Sequence, residues 1–484
     1  MVITNCIQGD LTPFTPTADR PWDAYRARHL LRRLGFGASP EAVQAALQVS
    51  PAQVVDQLID EALQRPLPPE PEWAYWSLSD YDSDDAIQMA VTQSREWTVR
   101  WFRDMAANGL REKMALFWHN HFVTRLDDYI CPSYLYQYHK LLQEKGLGNF
   151  KDFTHAMGIT PAMLVFLSGA QNTRFNPNEN YARELYELFT LGQDNGYTQT
   201  DIEETARALT GWVARDEFCA PITFVPNLFD PGTKTIFGRT GQWGYDDVID
   251  ILFEERATEI SLFICGKLYE HFVHPEQDDA IVAELAATFR TNNFEIAPVF
   301  RQLFKSEHFF DEYVPGTQIK SPIDNFVGLV RDGGFPTDNR ELMLGFIYFA
   351  SLQDQQIFDP TDVAGWPGNR SWLNTNTITL RWQSMELYVS YLFESAPERL
   401  RTIAKMLSNN SNDPEVVTKA LADHFLVRGL TNETDLMAAV DAFKAEVPQN
   451  YFDTGSWNLD WEIAPAQIVL LMLELIKQPD FQLL

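Results

Sequence analysis

Two histidines stand one residue apart in Phe117-Trp118-His119-Asn120-His121-Phe122, inside an apolar run that reads as helical. Imidazole can hold a metal, move a proton or form hydrogen bonds, and a polar pair in aromatic surroundings must be satisfied by partners or used in chemistry. The apolar positions Leu110, Met114 and Phe117 step by four and then three, and the next position on that stripe is His121. His121 is therefore expected in the core, paired with a carboxylate. His119 lies about 200° around a 3.6-residue helix and is expected to meet a second segment or a ligand. Residues at i and i+2 do not share a face, so this is not the i,i+4 arrangement of a zinc protease.

A second constellation supplies carboxylates. In Asn180-Tyr-Ala-Arg183-Glu184-Leu-Tyr-Glu187, residues Asn180, Glu184 and Glu187 fall at i, i+4 and i+7 on one helical face, with Arg183 beside them and Gly192 expected as the helix C-cap. Two carboxylates one turn apart can form an ion-pair network, a general acid/base pair or half of a metal site. His119, His121, Glu184 and Glu187 are thus the candidate catalytic set, and the same four are the candidate ligands for a divalent metal. Candidate binding residues surround them. Arg32 and Arg33 end a helix before Gly35 and can clamp an anion or complement the helix dipole. Thr200-Asp-Ile-Glu203 has capping-box spacing, and Arg207 can pair with Glu203 or reach another carboxylate. Trp366, Asn369, Arg370 and Trp372 share a Gly/Pro/Asn-rich loop, which either lines a concave surface of the kind that stacks sugars or packs on itself.

The elements that must position these residues are mainly helical. Ser39-Pro40, Ser50-Pro51 and Thr160-Pro161 each place an N-cap before Pro at the first helical position, and helix-length patterns recur from Ala24 to Lys477. Residues 222–237 are the exception, reading as two short strands around Pro231-Gly232, a single β-hairpin. The expected architecture is an irregular segment over residues 1–20 and one large helical domain over 21–484, with a subdivision near 312–320 as the alternative. No nucleotide-binding glycine loop, nucleophile elbow or cysteine cluster occurs.

Charge narrows the partners. With 67 acidic against 38 basic residues the net charge is −29, which repels phosphate backbones and anionic lipid, so nucleic acid is not expected as a partner. No apolar run is long enough to span a membrane. Met1 to Arg20 has no cationic start and no apolar stretch, which favours a cytoplasmic location or a signal already removed. Cys6, Cys131, Cys219 and Cys265 are scattered and expected as free thiols.

The ordered segments His29 to Gly37, Phe117 to Phe122, Asn180 to Gly192, Tyr197 to Trp212, Ile264 to Leu268 and Asp362 to Gly368 resemble the bacterial family catalogued as domain of unknown function eighteen hundred. The resemblance implies a helical fold and no established activity. It also implies an extracytoplasmic habit and a neighbouring sulfatase-like protein as a partner. Three functions stand open: a hydrolase or lyase acting on a carbohydrate or peptide, a non-catalytic assembly protein whose polar motifs are buried networks, and a metal-binding protein without catalysis.

Overall fold

The computed structural model describes residues 7–81, 85–213 and 217–484; Cys6 lies outside them. Over the described residues the chain is helical from Ala24–Gly35 to Ala464–Leu475, with two small two-stranded antiparallel sheets. No described helix is long and apolar enough to cross a membrane. The expected caps form: Ser39, Ser50 and Thr160 accept the main-chain N–H groups of Ala42, Gln53 and Met163, each with Pro in the first turn. The main hydrophobic cluster runs from Ile7 to Phe481. Residues 10–14 have no helix but are laced to 305–308 by main-chain bonds, Phe14 to Lys305 at 2.7 Å, Glu307 to Thr12 at 2.8 Å and His308 to Asp10 at 2.9 Å.

The central element is the helix Leu110–His121. It begins where Gly109, at φ +64°, breaks away from the helix Ala86–Asn108, and every residue except Asn120 is buried. Helices Ala24–Gly35, Pro51–Gln64, Ala86–Asn108 and Pro132–Lys145 surround it. Protein therefore meets this helix on all sides, and two side chains about 200° apart can both be interior.

Three local readings are corrected. Both expected strand segments contain a strand, but they do not pair with each other: Thr223–Phe224 pairs with Trp212–Val213, and Lys234–Ile236 with Arg239–Gly241. Pro226 opens a 3-10 turn that cuts the first strand short, and Gly238, at φ +81°, supplies the tight turn of the hairpin. The capping box is Thr198 with Asp201 rather than Thr200 with Glu203, so the helix starts at Gln199. The cysteines are not all free thiols. Cys131 and Cys219 form a disulfide across 88 residues of sequence, and Cys265 is the buried free thiol among the described residues.

Candidate functional site

The helix Leu110–His121 presents Lys113, Phe117 and His121 along one stripe, at i, i+4 and i+8. This stripe forms one wall of a cavity of about 430 Å³. The opposite wall is the helix Ala257–Phe272, which contributes Lys267 and His271, themselves four residues apart on one face. Ser321 and Asp324, at the start of the helix Pro322–Gly333, close one end, and Trp366, Asn369 and Trp372 close another. Two cations, Lys113 and Lys267, face two carboxylates, Glu270 and Asp324, so the lining is balanced within a strongly acidic chain.

His121 is the better defined imidazole. Its Nε2 lies 3.0 Å from the Phe189 carbonyl, which can only accept, so Nε2 carries the proton and Nδ1 is an acceptor. Nδ1 is buried and has no hydrogen-bond partner among the described residues. The expected carboxylate partner is thus a carbonyl instead. Burial, reinforced by the Lys267 ammonium, pulls the His121 pKa down to about 3 against the opposing bond to Phe189. His271 resembles it: Nε2 is buried without a partner among the described residues, and burial followed by the Lys113 charge brings its pKa to about 3. Phe117 lies between the two rings, with centroids 6.4 Å from His121 and 5.1 Å from His271. The Trp366 indole Nε1 is a third buried cavity group without a partner among the described residues, and it can only donate.

Lys113 and Asp324 form a buried ion pair. Burial pushes the Asp324 carboxyl up, but the Lys113 charge and hydrogen bond, with smaller help from His271 and Ser321, outweigh it and hold the group below its ordinary value. Lys267 is different. Its ammonium sits 5.0 Å from the centre of the Phe263 ring, and burial lowers its pKa while Glu270 opposes.

His119 does not line the cavity. Its Nε2 accepts the Phe358 N–H at 3.0 Å, which places the proton on Nδ1, and Nδ1 donates to Tyr138 Oη at 2.8 Å; Tyr138 in turn donates to the Phe122 carbonyl at 2.8 Å. His119 therefore meets a second segment, as its helical angle required, and both of its nitrogens are used there. Burial lowers its pKa to about 3.

The remaining candidates are dispersed, and of the expected residues the cavity brings together only His121, Trp366, Asn369 and Trp372. Glu187 pairs with Arg183 at 3.2 Å, and Arg183 also bonds Glu179 and Gln199, a helix-face network. Glu184 is half-buried, its pKa raised by burial and by Glu187. Neither glutamate lines the cavity, and Asn180 is exposed at the helix start. The helix ends at Glu187, and Gly192, at φ +91°, closes the turn that follows rather than capping the helix itself. Arg207 binds Asp230 and Glu204, not Glu203, and steadies the 230–233 segment. Arg32 makes a buried two-bond contact with Asp332 at 2.9 and 3.1 Å. Arg33 donates to the carbonyls of Val314 and Leu484 at 3.0 and 2.9 Å. Arg370 is exposed. No group of three or more His, Cys, Asp or Glu among the described residues is arranged to hold a metal ion, so the His119, His121, Glu184 and Glu187 set forms no such centre there.

Sequence reasoning missed Lys113, Lys267, His271 and Asp324. The signal was present for three of them: stepping back by four from His121 gives Phe117 and then Lys113, and Lys267 and His271 repeat that spacing on another apolar helix.

The chain belongs to the family described as protein of unknown function (DUF1800), whose pattern matches residues 29–483. No curated protein and no solved structure matches it.

Proposed function

We propose that the cavity binds a small hydroxyl-rich ligand of carbohydrate type, and that a hydrolytic or lyase-type reaction on such a ligand is the chemistry it serves. The observation carrying this reading is the buried nitrogen of His121 that lacks a partner on the cavity wall, together with those of His271 and Trp366. A buried polar atom without a partner costs about 1–3 kcal/mol, which a ligand hydroxyl would recover. His121 Nδ1 accepts, Trp366 Nε1 donates, and His271 Nε2 does either according to its tautomer. A hydroxyl both donates and accepts, so a polyhydroxylated molecule satisfies this mixed set better than a purely anionic one. Trp366, Trp372 and Phe117 add aromatic surface of the kind that sugar rings contact. With pKa values near 3, His121 and His271 are neutral at pH 7, good hydrogen-bond acceptors and weak bases. Their role in this reading is to hold and orient hydroxyl groups.

His119, Arg32 and Asn120 favour the second reading, that some polar motifs are structural networks, because each is spent on partners within the protein. The two readings apply to different residues. The test is calorimetric titration with glucose, N-acetylglucosamine, glucuronate and, as a contrast, diglycine. One saccharide is expected to bind, and His121→Gln and His271→Gln to weaken it at least about tenfold, the effect of losing one hydrogen bond of about 1.4 kcal/mol. Saccharide binding unaffected by both changes, or binding of diglycine alone, would overturn the assignment.

A further inference from the structure

The two cavity lysines differ in a way that carries chemistry. Lys113 is neutralised by Asp324, whereas Lys267 has no carboxylate within ion-pair distance among the described residues and rests over the Phe263 ring. Phe263 also packs against His121, with ring centroids 6.3 Å apart, so the cavity residues His121 and Lys267 share one phenyl ring as a neighbour. His271 follows Lys267 by one helical turn on the same wall. The same cavity lining carries His121, His271, the Lys113–Asp324 pair and the exposed Glu270; of these, His121 feels the Lys267 charge and Glu270 acts on Lys267.

We infer that Lys267 is a nucleophilic lysine that forms a Schiff base with a carbonyl-bearing ligand in this cavity, so that the ligand class is a hydroxylated aldehyde or ketone. The inference rests on the cavity being the ligand site. An amine unpaired with a carboxylate and set against apolar surface loses its proton more readily than a paired one, and burial acts on Lys267 in that direction. In the step itself the Nζ lone pair forms a bond to the carbonyl carbon while the C=O π pair moves to oxygen. Oxygen gains a proton and nitrogen loses one, giving a carbinolamine. Its hydroxyl then takes a proton and leaves as water while the nitrogen lone pair completes a protonated C=N bond, and loss of the remaining N–H proton, which balances the one taken up, gives the imine. Amine and carbonyl become imine and water, and neither an oxidant nor a reductant is needed. Water entering the cavity carries the proton transfers, since His121 and His271 are weak bases and serve to hold the ligand hydroxyls.

The test is reductive trapping of the full-length protein with glyceraldehyde and sodium cyanoborohydride, followed by peptide mass mapping. Lys267 is expected to label at least about tenfold faster than the exposed Lys419, which is paired with Asp423, the margin that separates an activated amine from an ordinary one. Lys267→Met should abolish that fast label without lowering the melting temperature. Labelling of Lys267 no faster than Lys419 overturns the inference, and because this is read on the unsubstituted protein, a misfolded variant cannot mask it. Saccharide binding without fast trapping overturns this inference alone. Fast trapping without any saccharide binding leaves the reactive lysine standing and removes the carbohydrate reading.

Discussion

The Asn120 side chain grips the main chain of Trp366 from both directions: its Oδ1 accepts the Trp366 N–H at 2.6 Å and its Nδ2 donates to the Trp366 carbonyl at 3.2 Å. Asn120 is the one residue of its helix that is not buried, and it couples the histidine helix to the loop bearing both tryptophans. Gly365 fits this clamp because it sits at φ +82° and because a Cβ there would collide with Asn120 Oδ1 and with the Asn120 carbonyl oxygen.

Asn120→Ala removes both bonds and should lower stability by about 2–3 kcal/mol, at roughly 1 kcal/mol per bond plus the main-chain groups left unpaired. Asn120→Asp keeps the acceptor and should lose less. Urea melts with fluorescence detection read both, and equal stability of Asn120→Ala and the unsubstituted protein would show that the clamp contributes nothing.

The buried Lys113–Asp324 pair gives a second expectation. Lys113→Met leaves an uncompensated carboxylate and should cost about 3–5 kcal/mol. Adding Asp324→Leu should restore most of that loss but not all, because Asp324 also accepts the Ser321 N–H at 3.2 Å as part of a helix cap. A double variant no more stable than Lys113→Met alone would contradict this.

The Cys131–Cys219 bond closes a long loop, 88 residues of sequence separation. Chain-entropy reasoning assigns such a closure about 4–5 kcal/mol, so Cys131→Ser should lower the urea midpoint strongly. Protein prepared without reductant should show no reaction of these two cysteines with a thiol reagent under denaturing conditions until dithiothreitol is added. Immediate labelling of Cys131 would refute the bond.

Acid should destabilise the fold over a defined window. Burial lowers the pKa of His119, His121 and His271 to about 3 and of His424 to about 4, below the ordinary value of 6.5. The unfolded chain therefore binds more protons than the folded one between these values, and stability rises with pH there. The contribution is fully present above about pH 6.5 and is lost progressively as pH falls toward about 3. Melting temperature measured from pH 7 to pH 4.5 should fall steeply, and His119→Gln should flatten the slope if folding is retained; a flat profile would contradict the buried, neutral state of these rings.

Helical periodicity made much of this legible. It placed His121 on an inward stripe, sent His119 toward another segment, and marked the Pro-capped helix starts, because these depend only on local spacing. What it could not supply was tertiary: that Cys131 and Cys219 meet across 88 residues, that a Phe189 carbonyl occupies the place expected for a carboxylate, and that Lys267 and His271 face the histidine helix. Glu184 and Glu187 illustrate the limit, since their shared face was read correctly from spacing, while Arg183 beside them draws Glu187 into a helix-face network.

The most direct test of the cavity's role is nitrogen-15 NMR of labelled histidine side chains during titration with glucuronate, N-acetylglucosamine and glucose. With at least one of these sugars, the account predicts that the unprotonated Nδ1 of His121 and the Nε2 of His271 shift as hydrogen bonds form to ligand hydroxyls, while both His119 nitrogens, already held by Phe358 and Tyr138, stay fixed. Unchanged His121 and His271 signals at saturating concentrations of all three sugars, or a shift confined to His119, would contradict it.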